Sequence, residues 1–188
     1  MRRSRAGAPI VRTVLSLMAS IALLPALGTP AASISRAAAS ATVAVRADLL
    51  SITVPASANL GSGAAGGTIS ASLGTVTVVD SRGGMPTWTA TVSATNFTTG
   101  GGSPAQTITK ADVSYWSGPA TGSSGGGNRT PGQATAAQAV PLSASVTAFS
   151  GRKALGVTNS TSWGPTLVVT LATAVTGAYT GVITHSVA

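Results

Sequence analysis

Groups able to do acid–base or nucleophilic chemistry are scarce in this chain. It has three aspartates (Asp48, Asp80 and Asp112), no glutamate, no cysteine and one histidine, His185. Glycoside hydrolysis normally takes two carboxyl groups placed on either side of the scissile bond. Asp48 lies next to a strand start, Asp112 precedes a strand, and Asp80 falls in the turn Asp80-Ser81-Arg82-Gly83-Gly84, where its carboxylate is expected to cap backbone amides. A Ser-His-Asp relay would need His185, at the end of the last predicted strand. One histidine without cysteine is too small a ligand set for zinc, so no metal and no cofactor is expected. Gly61-Ser62-Gly63-Ala64-Ala65-Gly66 matches a dinucleotide-binding fingerprint in letters, with Asp80 near the place of a ribose-binding acid. That motif works by opening a helix, whereas Gly67-Thr68-Ile69-Ser70 reads as a strand. The inventory argues for a non-catalytic protein.

The aromatics are the next candidates, because a flat ring can stack on the C–H face of a sugar. Trp88 alternates with Ala90 and Val92 and is expected in the core. Tyr115 and Trp116 are neighbours in a predicted strand, so they point to opposite faces and one of them is expected at the surface. Trp163, between Ser162 and Gly164 and just before Pro165, is expected in an exposed loop. Trp116 and Trp163, with Tyr115 beside them, are therefore the candidate ligand-binding residues. The sequons at Asn96, Asn128 and Asn159 arise readily in a chain this rich in Thr and Ser and carry no functional weight.

These residues must be positioned by strands. Charged residues are only 7% of the chain, far below the roughly 25% usual for soluble domains. The polar surface must then be made of Thr, Ser, Asn and Gln. From Thr42 onward period-2 alternation is broken by Gly, Pro and Asn, with no sustained helical period. Predicted strands are Leu50–Val54, Thr75–Val79, Trp88–Val92, Val113–Trp116, Ala144–Phe149, Thr166–Leu171 and Tyr179–Val187. Seven or eight short strands point to an all-β, antiparallel Ig-like β-sandwich with Gly-rich loops. The segments Thr99–Pro104 and Gly122–Gly127 are too glycine-rich for strands and are expected as mobile loops.

Residues 1–32 read as a secretory signal. Arg2, Arg3, Arg5 and Arg12 precede an apolar run from Thr13 to Leu27, and cleavage is expected after Ala31 or Ala32, with Ala39-Ser40-Ala41 as a second site. An uncleaved anchor is the competing interpretation, but Pro25 and the short run disfavour a span of roughly 20 residues. The exported part, residues 33–188, is then a single β domain with seven basic and three acidic residues, a net charge of +4. The cations are scattered rather than clustered among aromatics, which argues against nucleic acid. They support a mild attraction to anionic wall polymers.

Leu50-Ser51-Ile52-Thr53-Val54-Pro55, Gly74–Gly83, Trp88-Thr89-Ala90-Thr91-Val92 with Phe97-Thr98, and the closing Gly177–Val187 follow one another in order. Together they resemble a WxL-domain surface protein, in the divergent form of high-GC Gram-positive bacteria. The first W-x-L position falls on Trp88-Thr89-Ala90, with Ala90 in place of Leu. The second falls on His185-Ser186-Val187, with His185 and Val187 in place of Trp and Leu. The resemblance implies a secreted β domain held non-covalently on the cell wall, with peptidoglycan or another wall glycan as partner.

No sorting motif or hydrophobic tail follows Val187-Ala188, so retention is expected to come from binding and not from a membrane anchor. Two alternatives accompany this expectation. One is an assembly subunit packing with other surface proteins, its last strand adding to a partner's sheet. The other is a carbohydrate-binding module serving a separate enzyme.

Overall fold

The computed structural model describes residues 49–171 and 175–188; the expected leader and Asp48 lie outside them. Alternating β-branched and small polar residues form strands throughout, and every pairing is antiparallel. The first sheet contains β1 (Leu50–Thr53), β3 (Val76–Asp80), β12 (Asn159–Trp163) and β8 (Ala120–Ser124), in that order. The second contains β10 (Val140–Pro141), β7 (Val113–Trp116), β13 (Thr166–Thr170) and β2 (Thr68–Ser72). The third contains β14 (Ile183–Val187), β4 (Thr87–Ala94), β11 (Val146–Lys153) and β9 (Gly127–Pro131). A two-stranded ribbon pairs β5 (Phe97–Thr98) with β6 (Thr107–Ile108). No helix among the described residues is long and apolar enough to cross a membrane.

Fourteen strand segments appear where seven or eight strands were expected, and the registers explain about half of the excess. β3 pairs with β12 up to Val76–Trp163, and β2 pairs with β13 from Ser72–Thr166. Between them the Leu73 amide donates to the Pro165 carbonyl at 2.9 Å. β8 and β7 flank the same break, through Ala120–Trp163 and Trp116–Thr166. Three long strands therefore run from the second sheet into the first and bend at one level instead of ending. Pro165 withholds a ladder donor there. Gly74 and Gly118 take φ of +83° and +71°, a left-handed backbone that a side chain would strain.

The third sheet covers the first. Val76, Val78, Trp163 and Thr161 face Ala90, Val92, Ala148 and Phe149, all nearly or fully buried. Phe149 stacks on Trp163 across the sheets at 4.8 Å between centroids and on Trp88 of its own sheet at 6.4 Å. Contacts of this kind are each worth about 1 kcal/mol beyond the area they bury. The strand expected to close at Phe149 instead continues to Lys153. The register slips between Thr147 and Phe149, so the extra residue Ala148 and Phe149 both turn inward.

The Gly122–Gly127 stretch also departs from expectation. β8 includes Gly122, β9 begins at Gly127, and only Gly125-Gly126 make the turn between them. The pair crosses from the first sheet to the third, and Arg129 ties the crossing together. Its guanidinium donates to Thr161 Oγ1 at 3.0 Å and to the carbonyls of Ser124, Gly125 and Gly127. Glycine is required because a Cβ at Gly127 would run into the Arg152 carbonyl. The Asn159 sequon is structural too: its buried amide donates to Gly126 O at 2.7 Å. Thr99–Pro104 lies outside the strands, as expected.

Asp80 caps the Arg82 amide, as the turn pattern indicated, and also pairs with the Arg82 guanidinium at 2.9–3.0 Å. Burial alone would raise this carboxyl; the Arg82 contacts outweigh burial and hold it below its ordinary value of 3.8. The unfolded chain therefore takes up this proton first. Stability is expected to be steady above the ordinary carboxylate range and to fall on acidification through and below 3.8. Urea unfolding from pH 5 to pH 2.5 (set about the ordinary carboxylate value) would test this, with Asp80→Asn showing a shallower slope over the range.

Gly151 sits opposite Trp88, and a Cβ there would lie 2.5–2.8 Å from the indole. Gly151→Ala is expected to lose about 1–3 kcal/mol in denaturant unfolding.

Candidate binding groove

Three residues from three strands meet by hydrogen bonding. Trp163, last in β12, donates its indole N–H to Tyr115 Oη at 3.3 Å. The Tyr115 hydroxyl, in β7, lies 3.3 Å from Nε2 of His185, in β14. Because the indole can only donate, Tyr115 Oη accepts from it, while the direction of the Tyr115–His185 bond follows the imidazole tautomer. Burial pulls His185 from 6.5 to about 4 and pushes the Tyr115 phenol up, the Trp163 hydrogen bond opposing the latter only in part.

His185 lines a groove of about 500 Å³, within the range of small-ligand sites. Leu73, Val76 and Phe97 supply apolar floor, Val54–Gly61 forms one wall, and the Tyr179–His185 stretch forms the other. No charged side chain lines it. Gly181 is placed where a Cβ would collide with the Phe97 ring, 2.8–2.9 Å away, so the chain lies flat on that ring. Tyr179 is held by its hydroxyl on Val175 O at 2.9 Å.

The expected site residues Tyr115, Trp163 and His185 come together here, but Trp116 does not join them. Trp163, expected in an exposed loop, is fully buried in a strand. The inward face of β12 reads Asn159, Thr161, Trp163, and its two polar residues disguised the alternation. Tyr115 is also fully buried, so neither ring can stack on a sugar. Trp116 points the other way, half-buried on the outer face of the second sheet, as the neighbour rule required. Trp88 and Ala90 are core residues. His185 and Val187 are half-buried on the inward side of β14.

Phe97, Tyr179 and the Val54–Gly61 wall were not singled out from sequence. Pro55, Asn59 and Gly61 in one short stretch were the available signal for the wall, an irregular segment beside a strand. The expectation that the chain holds no G-x-S-x-G nucleophile elbow fails in letters, because Gly122-Ser123-Ser124-Gly125-Gly126 has that spacing. It leads into a hairpin and not a helix, and Ser124 Oγ is 2.7 Å from Ser160 Oγ. Gly61–Gly66 is a loop leading into β2, as expected. Among the described residues, no group of three or more His, Asp or Glu comes together.

Three of the five cations in the described part are engaged internally. Arg82 pairs with Asp80, Arg129 holds carbonyls, and Lys153 is 4% exposed. Lys110 and Arg152 remain exposed.

Comparisons of the chain with protein-family models, curated proteins and solved structures find no match.

His185 carries its own pH dependence. A neutral buried imidazole binds a proton more weakly than the unfolded one. Stability is expected to be full above 6.5, to fall with pH toward about 4, and to level off below for this group. His185→Gln would flatten that stretch of the curve, measured by urea unfolding between pH 7.5 and pH 4.5 (either side of the ordinary imidazole value).

Proposed function

We propose that the chain is an exported surface protein that attaches non-covalently to the bacterial cell wall, with peptidoglycan as its ligand and the groove as its binding site. The groove carries this reading: it offers an apolar floor and neutral hydrogen-bonding groups, and no charge. A site of that kind would hold a wall polymer by contact area and hydrogen bonds, without ion pairs. Three of the five described cations are engaged within the fold, which leaves Lys110 and Arg152 for long-range attraction. The leader-like N-terminus and the WxL resemblance agree with a surface location. The absence of any assembled acid–base set among the described residues fits a binding role.

The test is co-sedimentation of the processed chain with purified peptidoglycan, with and without attached wall polymers, across a salt series. Pelleting is expected to saturate and to persist at about 1 M salt, where charges are screened within about 3 Å. Tyr179→Ala is expected to weaken it, and Trp116→Ala, on the outer face of the second sheet, to leave it unchanged. Pelleting that disappears in modest salt would reduce the interaction to charge, and no pelleting at all would end the wall-attachment reading.

A further inference from the structure

One wall of the groove is a sheet edge whose hydrogen-bonding groups can be assigned by parity. Thr89 and Ala188 exchange both backbone hydrogen bonds, at 2.9 and 3.1 Å. In an antiparallel pair the bonded positions alternate, so Thr91–Ser186 and Ser93–Thr184 are the next bonded pairs along β4 and β14. The Thr95 amide continues the series to Val182 O at 2.9 Å, and Thr98 and Thr180 exchange bonds beyond it. The backbone N–H and C=O of Gly181, Ile183 and His185 must then point away from β4. They have no partner among the described residues, and all three residues line the groove.

The facing wall is similar. Pro55 has no amide proton, and within Val54–Gly61 the one backbone hydrogen bond among the described residues runs from the Gly61 amide to Asn59 Oδ1 at 2.9 Å. The groove is thus a slot with backbone donors and acceptors unanswered on both sides. Along the β14 edge they recur every second residue, roughly 6.8 Å apart. An extended peptide repeats its own amides at that interval; a sugar chain does not.

We infer that the groove takes an extended peptide segment that adds to the free edge of β14, so that the peptide portion of the wall polymer, and not its glycan, is the part held. This rests on the wall-attachment reading and narrows it. Strand addition places affinity in main-chain hydrogen bonds and leaves side-chain choice to the apolar floor.

The experiment uses the processed chain and two probes from one peptidoglycan preparation: peptides released by an amidase, and the glycan strands left behind. Binding is read by calorimetry and by competition against pelleting on intact peptidoglycan. The released peptides are expected to bind and compete, and the stripped strands to do neither. Ile183→Pro removes one amide from the open edge without touching the β4 ladder, a place where an edge strand tolerates proline. It is expected to weaken peptide binding about fivefold to tenfold, the loss of one hydrogen bond, with Ile183→Val unchanged. Ala58→Trp, on the exposed facing wall, is expected to block the slot without disturbing the core, which keeps the test decisive if the proline variant folds poorly. Competition by the stripped glycan, or peptide binding indifferent to both blocking variants, overturns the peptide assignment while wall attachment stands. Failure of the unmodified protein to pellet on intact peptidoglycan overturns both.

Discussion

The contact on which the rest of the described structure depends is the one made by Trp163. Its ring stacks on Phe149 across the two facing sheets, and its indole N–H is answered by Tyr115. The position is also where the long strands bend from the second sheet into the first. One side chain therefore fixes the spacing of two sheets and the level of the bend. A buried indole left without its acceptor would cost about 1–3 kcal/mol, so Tyr115 and Trp163 hold each other in place. His185 completes the chain and carries this order to the last strand.

That chain of contacts has a consequence at the surface. His185 shares the inward side of β14 with Ile183 and Val187, and Tyr115 meets its ring there. Once the face is set, the pairing with β4 decides which backbone groups remain open, and they open onto the groove. Phe97 under Gly181 keeps the approach to β14 flat, while the irregular Val54–Gly61 stretch keeps the opposite wall from pairing with it. The groove is thus a product of packing, not of any one motif.

Charge plays a smaller part than the composition suggests. Asp80 with Arg82, and Arg129 with the carbonyls around Gly125, use ionic groups to close the ends of strands and the crossing between sheets. Charge-assisted hydrogen bonds of this kind are among the stronger ones a small polar surface can make. Of the five described cations, Lys110 and Arg152 remain exposed outside these contacts.

The residue pattern by itself determined the class of the fold. Period-2 alternation at Trp88, Ala90 and Val92, and the apolar strand after Pro165, state which faces are buried, because side chains alternate across a strand whatever its neighbours. The same rule separated Tyr115 from Trp116, and turn chemistry gave the Asp80 cap. Tertiary structure alone decided the rest. It buried Asn159 and Thr161, whose polar side chains are satisfied by Gly126 in the β8–β9 turn and Arg129 in β9, and so carried Trp163 into the core. It made strands of the glycine-rich 120–131 stretch, where close backbone approach to β11 and β12 favours residues without a Cβ. It also decided which edge of β14 stays open, since a hydrogen bond between strands depends on which strand arrives alongside, and local sequence does not encode that.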